Sequence, residues 1–376
     1  MLFILFIAPL LVLCGCSGND DAPDLPVADA PRAVLVYMVA NNSLGTANYD
    51  SADINEMLIA AKNGDFGQSR LFVYHHPRNA APVLKEITAE GQRTLLTYDA
   101  NSSSVSVARM KQVINDFCRV APAQRRGLVL WSHGSGWIEN GIQESGNAIS
   151  TLSFGDDGGR HMNVTSLRNA LSDKLFDFVY FDCCYMAGVE VAYELRHCTD
   201  AIVGSATELP SPGMPYDETL RYLLLPEADL VGAASATFDF YNAKSNEART
   251  CTISVINTAA LDDLADATRA VYMANNVNSP GFSPQRFMTS ASACYLYDFG
   301  QYVDDLAADL PQLKASFDKA LADVVLFKAS TPRLWDMLAI NHHSGLSTFI
   351  PNEGQAKKYH YGNLQWASDV AAALYK

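Results

Sequence analysis

The sequence has few basic residues for its size. Its 376 residues include 41 Asp and Glu against 27 Lys and Arg, which gives a formal net charge of −14 at pH 7. Because a nucleic-acid-binding surface needs a basic face to neutralise phosphates, this balance excludes nucleic acid as an expected partner. A hydrophobic content of 49% with 18% charged residues is typical of a globular protein, and the chain is long enough for one large domain or two.

Long hydrophobic runs are also scarce. Met1–Leu13 is apolar but too short to span a bilayer, and it stands where the apolar core of a signal peptide would be. The following Leu13-Cys14-Gly15-Cys16 resembles a bacterial lipobox, although a charged leader segment is missing. We therefore expect residues 1–16 to be a lipoprotein signal peptide and lipobox, with Cys16 as the lipid-bearing residue. An ordinary secretory signal is the alternative.

Residues 17–31 are rich in Asp, Pro and Ala, a composition typical of a flexible tether. A lipid on Cys16 would then hold a globular domain at the cell envelope, on the outer membrane or the cell surface. The membrane is therefore an expected partner, through a lipid anchor rather than a transmembrane helix.

The eight cysteines form neither a small disulfide scaffold nor a paired C-x-x-C metal site. If Cys16 is lipidated, six cysteines beyond the leader remain as thiols or in disulfides, and the sequence does not decide between these states: Cys118, Cys183, Cys184, Cys198, Cys251 and Cys294.

The sequence shows no residue spacing that is typical of a metal site. His75-His76 and His342-His343 are adjacent pairs whose side chains would point in opposite directions on a strand, and they lack acidic or cysteine partners at ligand spacing. The acidic turn Gly155–Gly159 could hold calcium but lacks the EF-hand pattern. We expect no metal and no other cofactor.

Apolar runs alternate with amphipathic segments over residues 32–225. Strands are predicted at 33–40, 71–74, 127–132, 178–181 and 201–205, with helices at 50–62, 105–120, 166–175 and 189–196. This order predicts an α/β fold with a mainly parallel sheet covered by helices on both faces. Residues 226–376 are mostly helical in pattern, with helices at 230–241, 261–275, 303–308, 313–326 and 364–375 and strands at 252–256 and 347–350. We predict that they pack on the first region.

Two of the predicted strands end in chemically reactive side chains. The run 127–132 ends at His133, and the run 178–181 ends at Asp182, Cys183 and Cys184, shortly before a predicted helix. The carboxyl ends of parallel strands meet at one rim of the sheet, where ligands usually bind. A thiol near a helix N-terminus favours the thiolate. The sequence therefore predicts a cysteine nucleophile with a histidine base.

The residues around this pair form two recognisable motifs. The histidine motif, Leu130–Trp137, reads L-W-S-H-G-S-G-W. The cysteine motif reads D-C-C-Y-M at Asp182–Met186, followed by E-V-A-Y-E-L at Glu190–Leu195. Together they resemble the clostripain family of cysteine peptidases, a relative of caspases, legumains and gingipains. The histidine stands about 50 residues before the cysteine, which is also the caspase spacing. The resemblance extends more weakly over residues 34–216 and implies a caspase-like α/β/α sandwich.

The resemblance also implies residue roles. It makes the chain a cysteine endopeptidase acting on peptide or protein substrates, with Cys184 as nucleophile, His133 as its partner in a dyad, and Cys183 in the position of a small residue. The backbone N–H groups of Gly134 and Cys184 would form the oxyanion hole. Asp182 and Ser205 would bind substrate.

Two positions depart from the family pattern. Family members generally cut after Arg or Lys, but Pro212 stands where an acidic pocket residue is expected. Several members also cut themselves after a basic residue between the histidine and cysteine strands, yet no Lys or Arg occurs from Gly127 to Gly159. Either the chain is active without a cut, or its pocket prefers an uncharged residue. In the second case Asn147 is the candidate self-cleavage site.

Two other functions are weighed against a peptidase. An esterase would need a G-x-S-x-G nucleophile elbow, which the sequence does not contain. A peptidase-like surface lipoprotein without activity could act as a binding module. The presence of both Cys184 and His133 argues against this alternative.

Overall fold

The computed structural model describes residues 29–138, 153–275, 283–290, 295–350 and 353–375. The strands are β1 Ala30–Val39, β2 Arg70–His76, β3 Val83–Thr88, β4 Gly91–Thr97, β5 Ala123–Trp131, β6 Phe154–Asp157, β7 Arg160–Met162, β8 Phe176–Asp182, β9 Thr199–Gly204, β10 Thr252–Asn257, β11 Tyr297–Asp298, β12 Val325–Ser330, β13 Arg333–Leu334, β14 Leu338–Ala339 and β15 Ser347–Thr348.

The helices follow the same numbering in chain order. They are α1 Ser43–Thr46, α2 Tyr49–Asn63, α3 Val107–Val120, α4 Val164–Ala170, α5 Val189–Leu195, α6 Tyr216–Leu223, α7 Leu230–Asn242, α8 Leu261–Ala274, α9 Phe299–Leu306, α10 Pro311–Val324, α11 Glu353–Lys358 and α12 Gln365–Asp369.

A nine-stranded sheet forms the centre of the molecule. Its strand order is β12-β10-β9-β8-β5-β1-β2-β3-β4. The five strands from β9 to β2 pair in parallel, and the strands added at either edge pair antiparallel. The predicted α/β fold with a mainly parallel sheet is therefore confirmed.

Side chains of the central strands are buried on both faces of the sheet. In β1, Val34, Val36 and Met38 belong to one apolar cluster, whereas Leu35 and Tyr37 belong to the other. Helices cover both faces, so these strands read as unbroken apolar runs rather than as an alternating pattern. This packing explains why the sequence alone located them.

The structure adds strands that the sequence pattern did not reveal. The edge strand β4 is largely polar and exposed, and β3 and β4 were both missed. The predicted helix 313–326 ends earlier, because β12 begins at Val325 and alternates half-buried with exposed residues. Half-exposed edge strands lack the unbroken apolar run of a strand buried on both faces, so they give a weak strand signal.

The region after residue 225 contributes strands to the central sheet. The sequence predicted a mostly helical region with a strand at 252–256, packed on residues 32–225. That strand is β10, and β10 and β12 lie within the same sheet as β1–β5, β8 and β9. β10 is buried along most of its length and pairs antiparallel with β9. Hydrogen bonding between strands, and not only helix packing, joins residues 226–376 to the rest of the molecule.

Candidate active site

The register of three neighbouring strands positions the site. Met38 of β1 pairs with Trp131 of β5, and Trp131 pairs with Asp182 of β8. The three strands therefore end at the same edge of the sheet, and the segments that follow them lie side by side. His133 and Cys184, each two residues beyond its paired position, line one cavity of about 290 Å³.

Cys184 lies half-buried in this cavity. Its Sγ accepts the N–H of Leu209 at 3.4 Å and lies 3.6 Å from the carbonyl oxygen of the same residue. The pKa of the Cys184 thiol is raised to about 12, chiefly by burial; the Leu209 N–H lowers it, and the carboxylates of Glu208 and Asp182 raise it. The sequence predicted a thiolate near a helix N-terminus. That prediction is wrong, because α5 begins only at Val189 and desolvation dominates.

Cys183 has a different environment from its neighbour. Its side chain is 3% exposed, and burial raises the pKa of its thiol well above the ordinary value. Cys183 packs in one of the two apolar clusters and also lies beside the backbone of Gly134. A buried thiol of this kind behaves as a small apolar side chain.

The backbone directly after Cys184 is strained. Tyr185 has φ +65°, a left-handed conformation that costs a residue with a Cβ roughly 1–3 kcal/mol. Two backbone bonds hold the turn: the Tyr185 N–H donates to the carbonyl of Thr207, and the Ala187 N–H donates to the carbonyl of Ser205, both at 2.9 Å. The turn thereby aims the residue before it, Cys184, at the cavity.

His133 is half-buried, and burial lowers the pKa of its imidazole. Asp156 raises this pKa and His161 lowers it further, but desolvation is the largest effect. The Nε2 atom lies 2.8 Å from the hydroxyl of Ser43, on α1. Both shifts favour the uncharged forms, a neutral imidazole and a protonated Cys184 thiol.

Gly134 lies between two backbone hydrogen bonds. The N–H of Gly155 donates to the carbonyl of His133 at 2.9 Å, and the N–H of Ser135 donates to the carbonyl of Ser153 at 3.4 Å. Antiparallel geometry turns the N–H of the residue between such bonds away from the partner strand. The N–H of Gly134 is therefore free of this pairing.

Asp182 organises the loop that follows β9. Its Oδ1 accepts the N–H of Met214 and its Oδ2 accepts the hydroxyl of Tyr216, both at 2.9 Å. A Cβ on Gly213, which has φ +66°, would lie 2.6 Å from Oδ1, so only glycine fits there. Burial raises the pKa of the Asp182 carboxyl despite these bonds, and it does the same for the neighbouring Asp53.

The other sequence-predicted pocket residues differ in their placement. The hydroxyl of Ser205 is buried against Thr207 and Thr252 and does not line the cavity. Pro212 is exposed on the loop and does not line it either. Glu208 does line the cavity, and its Oε2 accepts the indole N–H of Trp335.

Several sequence-predicted residues lie outside the described part of the chain. These are Cys16, Asn147 and Cys294. Cys118, Cys183, Cys184, Cys198 and Cys251 lie within it and are free thiols. Across the described ranges no three His, Cys, Asp or Glu side chains are grouped so that they could hold a metal ion.

Two residues of the site were missed from the sequence. Ser43 lies in a turn that follows β1, and Trp335 lies between β13 and β14, more than a hundred residues beyond the motifs. The rule that ligands gather at the carboxyl ends of parallel strands could have directed attention to Ser43. No local signal identifies Trp335.

Comparison with known proteins gives a consistent result. A family model described as the clostripain family matches residues 36–366. An inactive zymogen C11 protease from Parabacteroides distasonis is 31% identical, with 91% of this chain and 99% of that chain covered and a TM-score of 0.78. A secreted C11 cysteine protease from Bacteroides thetaiotaomicron in complex with an irreversible peptide inhibitor is 29% identical, with coverage of 90% and 98% and a TM-score of 0.76.

A further structure shares the fold. A secreted C11 cysteine protease from Bacteroides thetaiotaomicron, iotapain, has a TM-score of 0.80 at 24% identity, covering 91% of this chain and 100% of that chain. Among curated proteins no sequence matches this chain significantly.

Proposed function

Because the chain belongs to the clostripain family and is a cysteine peptidase, we propose that it hydrolyses peptide bonds through Cys184 and His133. The observation that carries this proposal is the shared cavity at the ends of β5 and β8, which both side chains line. The similar C11 protease from Bacteroides thetaiotaomicron was solved in complex with an irreversible peptide inhibitor, which supports peptides as the substrate class.

The proposed reaction starts from the neutral pair. As the Cys184 sulfur attacks the scissile carbonyl carbon, its proton moves to His133 and the carbonyl oxygen becomes an oxyanion. The C–N bond then breaks, the His133 proton passes to the leaving amine, and a thioester remains. Water, deprotonated by His133, hydrolyses the thioester and restores the thiol. The raised pKa of Cys184 supports proton transfer during attack rather than a resting thiolate.

We assign the oxyanion hole to the backbone N–H groups of Gly134 and Cys184. Support comes from the packing of the two segments, since a Cβ on Gly134 would lie only 2.6 Å from the carbonyl oxygen of Cys184. Such close approach requires glycine and packs the backbones of the two segments against each other. Fixed donors of this kind stabilise the oxyanion without reorganisation.

Substrate recognition is proposed to favour an uncharged residue before the cut. Both oxygens of Asp182 already accept hydrogen bonds from the loop, and one oxygen of Glu208 accepts from Trp335. A guanidinium would have to share the bonded oxygens of Asp182 or pair with the other oxygen of Glu208, and incomplete pairing of a buried guanidinium costs several kcal/mol. Asp182 then acts chiefly by holding the loop that follows β9. Ser205 acts through the hydrogen bond of its hydroxyl to Thr252, which joins this loop to β10.

Peptide profiling combined with intact-mass measurement tests the activity and its specificity together. We expect the purified protein to hydrolyse a mixed peptide library after uncharged residues and to cut itself after Asn147, where the family places its basic cleavage residue. An Asn147→Lys variant, which places a charge before the same bond, serves as the matched control and should lose the self-cut. A cut after Arg160 with rapid turnover of arginyl peptides would contradict the uncharged preference, and no hydrolysis of any peptide would contradict the function.

We further propose that a lipid on Cys16 anchors the enzyme to the cell envelope. The lipobox-like Leu13-Cys14-Gly15-Cys16 supports this, and one neighbour is described as a secreted protease. Within the described ranges, no helix is both long enough and apolar enough to cross a bilayer.

Substitution of the lipobox cysteine tests the anchor. Cys16→Ser should move the protein from the membrane to the soluble fraction, because the acceptor sulfur is lost, while Cys14→Ser should leave it in the membrane fraction. Fractionation followed by mass spectrometry of the N-terminal peptide measures both. Wild-type protein found soluble and without lipid would rule out the anchor.

A further inference from the structure

The hydroxyl of Ser43, in the segment that follows β1, contacts the imidazole of His133. Its Oγ lies 2.8 Å from Nε2 of the imidazole. Ser43 is exposed and opens α1, immediately beyond the strand that pairs with β5. The contact therefore joins the ends of two neighbouring parallel strands.

A rigid base holds Ser43 in this position. The side-chain oxygen of Asn42 accepts the N–H of Leu44 at 2.9 Å and so caps the turn. The Asn42 side-chain amide donates to the carbonyls of Val39 at 2.9 Å and Asp156 at 2.8 Å, and to the hydroxyl of Ser132 at 3.3 Å.

Ser132 completes this arrangement from the other side. Its hydroxyl donates to the carbonyl of Val39 at 2.9 Å and accepts the N–H of Asp156 at 3.1 Å. Asn42, which precedes Ser43, and Ser132, which precedes His133, are therefore bonded to each other and to the backbone of the same two residues, Val39 and Asp156. A further constraint is Gly45, where a Cβ would lie 1.9 Å from the carbonyl oxygen of Ala40. The turn has little freedom to move relative to His133.

We propose that Ser43 is a positioning residue for His133, which rests on the proposed role of that histidine. The Ser43 oxygen accepts the Nε2–H and fixes the ring orientation and tautomer, so that Nδ1 is the nitrogen that exchanges protons. Nδ1 receives the Cys184 proton as the S–C bond forms and returns it to the leaving amine as the C–N bond breaks. Throughout this cycle the Nε2–H bond to Ser43 remains in place.

Removal of the hydroxyl should slow the chemical step. When His133 becomes an imidazolium, the hydrogen bond to Ser43 becomes charge-assisted and stronger, so it stabilises the transition state more than the ground state. For Ser43→Ala we expect about a tenfold fall in kcat with little change in KM. The thermal midpoint should stay near the wild-type value, because Ser43 is exposed.

The pH profile supplies a second readout. The charged groups that act on His133 are Asp156, which favours its cation, and His161, which opposes it, with the Cys184 thiol on the facing segment. Loss of the Ser43 acceptor removes one further stabiliser of the cation, so the acid limb of kcat/KM should shift to lower pH in Ser43→Ala. A residue that only stabilised the turn would leave this limb unchanged.

Two control variants separate positioning from structure. Ser43→Thr keeps a hydroxyl on Cβ and should restore most of the kcat and the wild-type acid limb. Thr46→Val removes a hydroxyl from the same turn without a contact to His133 and should keep wild-type kcat. Wild-type kcat and pH profile in Ser43→Ala would overturn the proposal, as would a failure of Ser43→Thr to restore activity.

His133→Ala distinguishes the failure of this inference from that of the proposed function. If His133→Ala is inactive and Ser43→Ala is indistinguishable from wild type, only the role of Ser43 is wrong. If His133→Ala keeps wild-type activity, the proposed catalytic pair is wrong and the role of Ser43 falls with it. An inactive His133→Ala together with a slowed, Thr-rescued Ser43→Ala supports both.

Discussion

Cys184→Ala is expected to abolish peptide hydrolysis, whereas Cys183→Ala should keep most of it. The two adjacent thiols both border the cavity. The Cys184 sulfur is half-buried and accepts the N–H of Leu209, whereas Cys183 is 3% exposed and packs in the apolar core. Loss of a nucleophile typically lowers kcat by about 10⁴-fold or more. Cys183→Ala loses one buried sulfur, which should cost about 1 kcal/mol of stability and little activity.

Steady-state kinetics on both variants, with their thermal midpoints, measures this difference. An electrophilic peptide should label the wild type and Cys183→Ala at residue 184 and should not label Cys184→Ala. Activity in Cys184→Ala with an inactive, well-folded Cys183→Ala would show that the motif register is shifted by one residue.

Much of the fold could be predicted because the central strands are covered on both faces. Their unbroken apolar runs, such as Val34–Ala40, located the parallel core, and the two motifs located the family. The polar strand β4 and the half-exposed strand β12 could not be found in this way. Their pairing depends on neighbours distant in sequence rather than on their own composition.

The electrostatics of the site were harder to predict than its residues. Proximity to a helix suggested a thiolate at Cys184, yet the structure buries the sulfur beside two carboxyl-bearing residues, so its pKa rises. The hydrogen bonds of Asp182 were also hidden from the sequence, because the partners of its oxygens, Met214 and Tyr216, lie more than thirty residues away. Burial and long-range partners decide a group's charge, and a linear motif contains neither.

Gly134→Ala is expected to lower kcat/KM by about a hundredfold while the protein stays folded. The added Cβ would lie 2.6 Å from the carbonyl oxygen of Cys184 and 3.2 Å from the Cys183 Sγ. The nearest of these atoms belongs to the backbone, so it cannot move away by a change of rotamer. The Cys184 segment must shift relative to His133, and displacement of about 1 Å from reactive geometry can cost about 10²-fold in rate.

The matched control for this substitution is Gly362→Ala. No atom lies within 4 Å of the Cβ that it would add, so wild-type kinetics are expected. Circular dichroism and the thermal midpoint establish that both variants are folded, and kcat/KM on one peptide compares them. Because the clash lies between the two segments that supply the proposed oxyanion donors, the loss in Gly134→Ala should fall mainly on kcat. Unchanged kcat in a folded Gly134→Ala would mean that the contact between Gly134 and Cys184 does not set the geometry of the reaction.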